Sequence, residues 1–115
     1  MHHESPARLL KVIVIEHLKD RYKRQYSDVI SNEDGNPDII LSNHGLKVAG
    51  IFVEEEASLT TERAEVWRRS LKDDIRIIVL VPSKAKTRLT SLLWDMNLMT
   101  DISVGTYDLH INTPV

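Results

Sequence analysis

The stretch from Pro37 to Glu56, PDIILSNHGLKVAGIFVEEE, decides the fold. Asp38 to Leu41 is a short apolar strand, Ser42-Asn43-His44-Gly45 is turn chemistry, and Leu46 to Glu54 is a longer strand, so the segment predicts a β-hairpin with carboxylates at both outer ends. On its N-terminal side, Asn32-Glu33-Asp34-Gly35-Asn36-Pro37 is dense in turn formers, and Tyr26 to Ile30 alternates enough to form a strand. A second hairpin connection therefore precedes the first. Further back, Pro6 suits a first helical turn, and Ala7 to Tyr22 carries Leu10, Ile13, Val14 and Leu18 at helical spacing. The β-branched run Val12 to Ile15 competes with that helix as a strand signal.

On the C-terminal side, Ala57 to Thr61 leads into a helix that Thr61 can cap, with Glu62 and Glu65 near its positive end and Ala64, Trp67 and Leu71 on one face. Ile75 to Val81 is nearly continuous aliphatic sequence, as expected of a central strand covered on both faces. Lys84 to Met96 repeats Leu89, Leu92, Leu93 and Met96 as another packed helix, and Ile102 to Thr106 closes the sheet. Trp67 and Trp94 both lie on helices among aliphatic neighbours, so both are expected as core or partner-facing residues rather than base-stacking platforms, with core the default. The order helix, three strands, helix, strand, helix, strand, without internal repeats, predicts one α/β domain over residues 1–115 with a mixed central sheet flanked by helices.

Hairpin register decides which carboxylates meet. A three-residue loop, Asn43-His44-Gly45, pairs Ser42 with Leu46 and sets Asp38 opposite Gly50, on the face of Phe52, Glu54 and Glu56. A two-residue loop shifts the register by one and puts Asp38 on the face of Glu55. In either case Glu54 lies several positions beyond the pair, so the strands must splay or bulge, and Gly50 is the natural place for a bulge.

The 115 residues hold 42% apolar and 28% charged side chains and no cysteine. That length closes one hydrophobic core, and the absence of cysteine excludes disulfides, zinc ribbons and thiol catalysis. The longest apolar run, Ile77 to Pro82, is too short to span a membrane, and no secretory pattern opens the sequence, so the expected location is the cytoplasm. A formal charge of −2 argues against bulk electrostatic binding of nucleic acid. Local basic clusters occur at Lys19 to Arg24, at Arg68, Arg69 and Lys72, and at Lys84, Lys86 and Arg88, each readable as a solvated helix face. His17, His44 and His110 are too scattered to gather a metal, and His2 and His3 are left out of any metal argument. No phosphate-cradling glycine loop and no serine nucleophile elbow are present.

Pro37-Asp38 at the head of one strand and Glu54-Glu55-Glu56 at the end of the next could bring oxygen ligands to a hard divalent ion. Here the chain resembles the restriction-endonuclease-like nucleases, whose motif is Pro-Asp, a gap, then Asp or Glu, any residue, and Lys. The resemblance runs from about Ala7 to Tyr107. It implies that core fold, with Asp38 and Glu54 as ligands of Mg²⁺ or Mn²⁺ and the Glu55 carbonyl as a third ligand. It further implies hydrolysis of DNA or another nucleic acid by water activated on the metal.

Glu56 departs from the pattern, standing where the motif has lysine. A carboxylate there can serve as a further metal ligand or as a base but not as a cation, and Arg63, Arg68 or Arg69 on the following helix could supply the charge, Arg63 being nearest. Glu16 is the acidic residue of the first helix that such a site could recruit. The resemblance therefore supports two expectations: a metal-dependent nuclease using Asp38, Glu54, Glu56 and Arg63, or a catalytically inactive nucleic-acid-binding or protein-interaction domain on the same fold. The small size of the domain also suggests a homodimer, since a single copy offers little surface for gripping a duplex.

Overall fold

The computed structural model describes residues 6–108. Helix α1 (Pro6–Tyr22) is followed by three strands, β1 (Asp28–Ser31), β2 (Ile39–Asn43) and β3 (Leu46–Val53). Helix α2 (Thr61–Ser70), strand β4 (Arg76–Pro82), helix α3 (Lys86–Asp95) and strand β5 (Ile102–Tyr107) complete the order read from the sequence. One five-stranded sheet runs β1-β2-β3-β4-β5. The first three strands are antiparallel neighbours, whereas β3, β4 and β5 are parallel. That switch follows from the connections, because tight turns join antiparallel strands and the α2 and α3 crossovers return the chain parallel.

The sheet separates two apolar layers. Phe52, Ile77, Val79 and Val81 pack with Ala64 and Trp67 of α2 and Leu89 and Leu93 of α3. The opposite face, with Ile39, Leu41, Ala49, Ile51 and Val53, packs against Leu18 of α1. Strand β3 is thus covered on both faces through its second half, Ala49 to Val53, which explains the unbroken burial there. The β-branched run of α1 does not become a strand: it packs Val14 and Ile15 against the sheet and leaves Val12 and Ile13 exposed.

The placement of Trp94, the cap of α2 and the site of the bulge are corrected, and the choice between the two loop lengths of the β2–β3 turn is decided. Trp94 is 69% exposed, whereas Trp67 is fully buried; Leu89 and Leu93 define the inner face of α3, and Trp94, one residue on, is turned away from it. Thr60, not Thr61, caps α2, its hydroxyl accepting from the Arg63 N–H at 3.1 Å. The β2–β3 turn is the two-residue loop His44-Gly45, both residues left-handed, with Asn43 paired to Leu46. A bulge then shifts the ladder between Leu41 and Ser42, so that Ile39 faces Ile51. Asp38 stands just before β2, outside the paired ladder, and meets β3 through its side chain, which accepts from the Val53 N–H. Gly50 is not where the bulge falls: a Cβ there would lie 3.0 Å from Pro37 Cγ, so this glycine admits the proline ring instead.

None of the described helices is long and apolar enough to cross a membrane. His2, His3 and His110 lie outside the described residues.

Candidate functional site

Asp38 is held by the turn before it. Asn32 N–H donates to the Asp38 carbonyl at 2.9 Å, and Asn32 Nδ2 donates to the Pro37 carbonyl at 3.0 Å. Gly35 has φ of +70°, and a Cβ there would stand 3.1 Å from Asp38 Oδ1, so backbone conformation and close approach both require glycine. The Asp38 side chain is buried at the end of the sheet, where Oδ2 accepts the Val53 N–H at 2.7 Å. Oδ1 lies 3.4 Å from Lys11 Nζ, which reaches it from α1. Burial raises the Asp38 pKa above the ordinary carboxylate value; the Val53 N–H and Lys11 act against that shift, and the charge of Glu54 adds to it.

Glu54 is 1% exposed. Its backbone continues the parallel ladder, donating from N–H to the Leu80 carbonyl at 2.8 Å. Arg63 Nε–H donates to both carboxylate oxygens, at 3.1 Å to Oε1 and 2.6 Å to Oε2. Trp67 Nε1 donates to Oε2 at 3.2 Å, and the Ser58 hydroxyl lies 3.3 Å from Oε1. The Arg63 guanidinium extends the network, donating through Nη2 to the Gly35 carbonyl at 2.8 Å and through Nη1 to Asn36 Oδ1. It also lies over the Phe52 ring, 5.2 Å from the centroid. Arg63 therefore ties together the end of β3, the start of α2 and the turn that presents Asp38. The Thr60 cap places it for this, because Arg63 occupies the third position of α2, with its own N–H held by the cap.

The neighbouring glutamates diverge. The Glu55 carbonyl accepts from Ser58 N–H at 3.1 Å and from the Ser58 hydroxyl at 2.8 Å, closing a short 3₁₀ turn. Glu56 is partly exposed and sits 3.8 Å from Lys84 Nζ. Tyr107, from β5, donates its hydroxyl to the Glu54 carbonyl at 2.7 Å, and its pKa is raised to about 12 by burial and by the charges of Glu55, Glu54 and Asp38. Glu16 pairs with Lys19 on the exposed side of α1, beside a cavity shared with Asp20, Lys23 and Tyr26. The first-helix residue that does reach Asp38 is Lys11. Its sequence signal is a single charge inside the apolar run Leu9 to Ile15.

A cleft lined by Arg8, Lys11, Asp34, Gly35, Glu54, Glu55, Ser58 and Arg63 opens on this cluster. The structure thus brings Asp38, Glu54 and Arg63 together and sets Glu56 apart, against Lys84. A divalent ion needs oxygens with free lone pairs. In this arrangement each atom that the motif offers has an internal partner: Asp38 has Val53 and Lys11, the Glu54 carboxylate has Arg63, Trp67 and Ser58, and the Glu55 carbonyl has Ser58. Among the described residues no group of three or more histidine or carboxylate side chains is placed to hold a metal, and no buried polar side-chain atom lacks a partner. These donors do not fit a divalent ion as they stand. What they do is neutralise two buried carboxylates with two cations and lock the β2, β3 and α2 ends together.

No family model, curated protein or solved structure matches the chain.

Proposed function

We propose that the chain is a restriction-endonuclease-like domain that does not hydrolyse phosphodiesters and serves instead as a protein-interaction module. The observation that carries this reading is the Arg63–Glu54 pair: with Trp67 and Ser58 also on the carboxylate, Glu54 is a structural anion rather than an open ligand. Protein is favoured over nucleic acid because basic side chains in each of the three clusters are engaged by acids. Lys19 pairs with Glu16, Lys23 with Asp20, Arg68 with Glu65 and Lys84 with Glu56. Meanwhile α1 exposes the apolar residues Leu9, Val12 and Ile13 at helical spacing.

A second reading, the Mg²⁺- or Mn²⁺-dependent nuclease acting on DNA or another nucleic acid, is favoured by one observation. Asp38 and Glu54 lie close enough at one end of the sheet for the charge of Glu54 to act on Asp38. In that reading Asp38, Glu54 and the Glu55 carbonyl are the ligands, with Glu56 and Arg63 assisting.

One assay separates the two. Wild type and Asp38→Asn are incubated with single- and double-stranded DNA and RNA in Mg²⁺ or Mn²⁺. The expected result is no cleavage by wild type beyond that of the variant. Cleavage that needs the divalent ion and disappears in Asp38→Asn would establish the nuclease instead.

A further inference from the structure

We infer that the partner of this domain is a second copy of itself, and that the two copies pair through α1, with the helices antiparallel and each seated in a groove beside the other. The inference rests on the protein-interaction reading and names its partner. The two faces of the sheet are unequally covered. On one, α2 and α3 both pack over Phe52, Ile77, Val79 and Val81. On the other, α1 is the one helix among the described residues, and it packs chiefly on β1, β2 and β3. Two strands are about as wide as one helix, roughly 10 Å, so this face has room for a second helix over β4 and β5. That room is an apolar groove of ≈ 590 Å³, floored by the half-buried Ile78, Leu80 and Tyr107 and walled by Leu10, Ile13 and Val14 of α1.

Helix α1 has the complementary excess. From Leu9 to Ile15 only Lys11 interrupts the apolar run, and a helix that is apolar all round belongs in an interior. Val14 and Ile15 pack on the sheet, while Leu9 and Ile13 are 50% and 52% exposed. Pro6, Leu10, Ile13, His17 and Asp20 follow one another at alternating spacings of four and three residues, the seam along which two helices pack. Leu10 and Ile13 belong to that seam and to the groove wall at once. The surface in need of a helix and the helix in need of cover are therefore adjacent on one chain, and a single two-fold axis between Leu10 and Ile13 satisfies both. Antiparallel packing sets Leu10 of each copy against Ile13 of the other. The charges agree with that direction. Asp20 of one copy comes to the positive N-terminal end of the other copy's α1, which has no acid of its own in the first turn, and Arg21 is drawn back over the Tyr22 ring.

The test is sedimentation velocity over a dilution series of wild type, Ile13→Glu and Leu46→Glu, with circular dichroism as the check on folding. Leu46 is exposed but lies in the β2–β3 hairpin, away from α1. Wild type and Leu46→Glu are expected to sediment as dimers of equal affinity. Ile13→Glu should weaken the dimer at least about a hundredfold, because each copy then buries an unpaired carboxylate beside the other. The chain has no cysteine, so Ile13→Cys supplies one thiol per copy, and a short bismaleimide should join two copies through it but not through Leu46→Cys. If Ile13→Glu does not fold, that cross-link decides. A monomeric wild type overturns the inference and leaves the groove to a different protein or to a small apolar ligand. A dimer unmoved by Ile13→Glu, or joined equally well through Leu46→Cys, overturns it too. Neither result touches the non-catalytic reading, which only ion-dependent cleavage by wild type removes.

Discussion

The Nε–H of Arg63 sits 2.6 Å from Oε2 and 3.1 Å from Oε1 of Glu54, so one arginine hydrogen is shared by both oxygens of a buried carboxylate. The guanidinium approaches side-on, and its two Nη groups remain free to hold the turn before Asp38. This one relationship makes Glu54 part of the framework.

Removing the cation should be costly. Arg63→Met leaves Glu54 buried with only neutral donors, and loss of one partner from a buried pair costs about 3–5 kcal/mol. Urea unfolding should show that loss, and Arg63→Met/Glu54→Gln should recover a large part of it. Equal stability of the single and double variants would show that the unpaired Glu54 charge is not what makes Arg63→Met costly.

Asp38 should make stability depend on pH with an unusual sign. Its folded pKa lies above the ordinary value because of burial, so the folded state holds the proton more tightly than the unfolded state. Its contribution to stability is therefore greatest below the unfolded pKa and is lost as pH rises through the folded one. Asp38→Asn keeps the size of the side chain and removes the titration. The stability difference between wild type and variant, followed by denaturant unfolding from acid to neutral pH, should shift against wild type as pH rises; a shift in the opposite direction would contradict the placement of Asp38.

Tyr107 gives a second titration. Its hydroxyl is held up to about 12 while donating to the Glu54 carbonyl. Ultraviolet titration of tyrosinate should show a step near pH 12 in wild type that is missing in Tyr107→Phe. Because the unfolded state releases this proton more readily, the contribution of Tyr107 is present below the ordinary tyrosine pKa and is lost as pH climbs towards the raised value. At neutral pH the phenylalanine variant should be less stable by about 1 kcal/mol, the usual net value of one hydrogen bond.

The two tryptophans should respond oppositely. Trp67 is fully buried and donates to Glu54, whereas Trp94 is 69% exposed. Trp67→Ala should cost about 3–5 kcal/mol, and Trp94→Ala should stay within about 0.5 kcal/mol of wild type. Iodide should quench the emission of Trp94 in Trp67→Phe and leave that of Trp67 in Trp94→Phe largely unaffected. Equal quenching of the two would contradict the turn of α3.

Much of this arrangement is local and was legible in the sequence. The aliphatic run Ile75 to Val81 marked β4, although only Ile77, Val79 and Val81 are buried, under α2 and α3, while Ile78 and Leu80 on the α1 face are partly exposed; the turn chemistry of Asn32 to Pro37 and of Ser42 to Gly45 marked the breaks around β2. The period of α3 also carried the exposure of Trp94, since the residue after Leu93 lies about 100° around the helix from the core face. Periodicity reports which face of an element is apolar, and that is enough to set the order of elements and their layers.

Only the tertiary structure decided the rest. The bulge between Leu41 and Ser42 fixed the pairing of Ile39 with Ile51, and nothing in the local sequence specifies where a ladder slips by one. Partner choice was equally hidden: Glu54 could have met a metal, a lysine or solvent, and it met Arg63 and Trp67 because the Thr60 cap sets the first turn of α2 against the end of β3. Lys11 reached Asp38 from a helix on the other face of the sheet. A sequence determines the charges a chain must bury through the pattern of its own elements, but which opposite charge answers each one depends on distances between elements, and those exist only once the layers have packed.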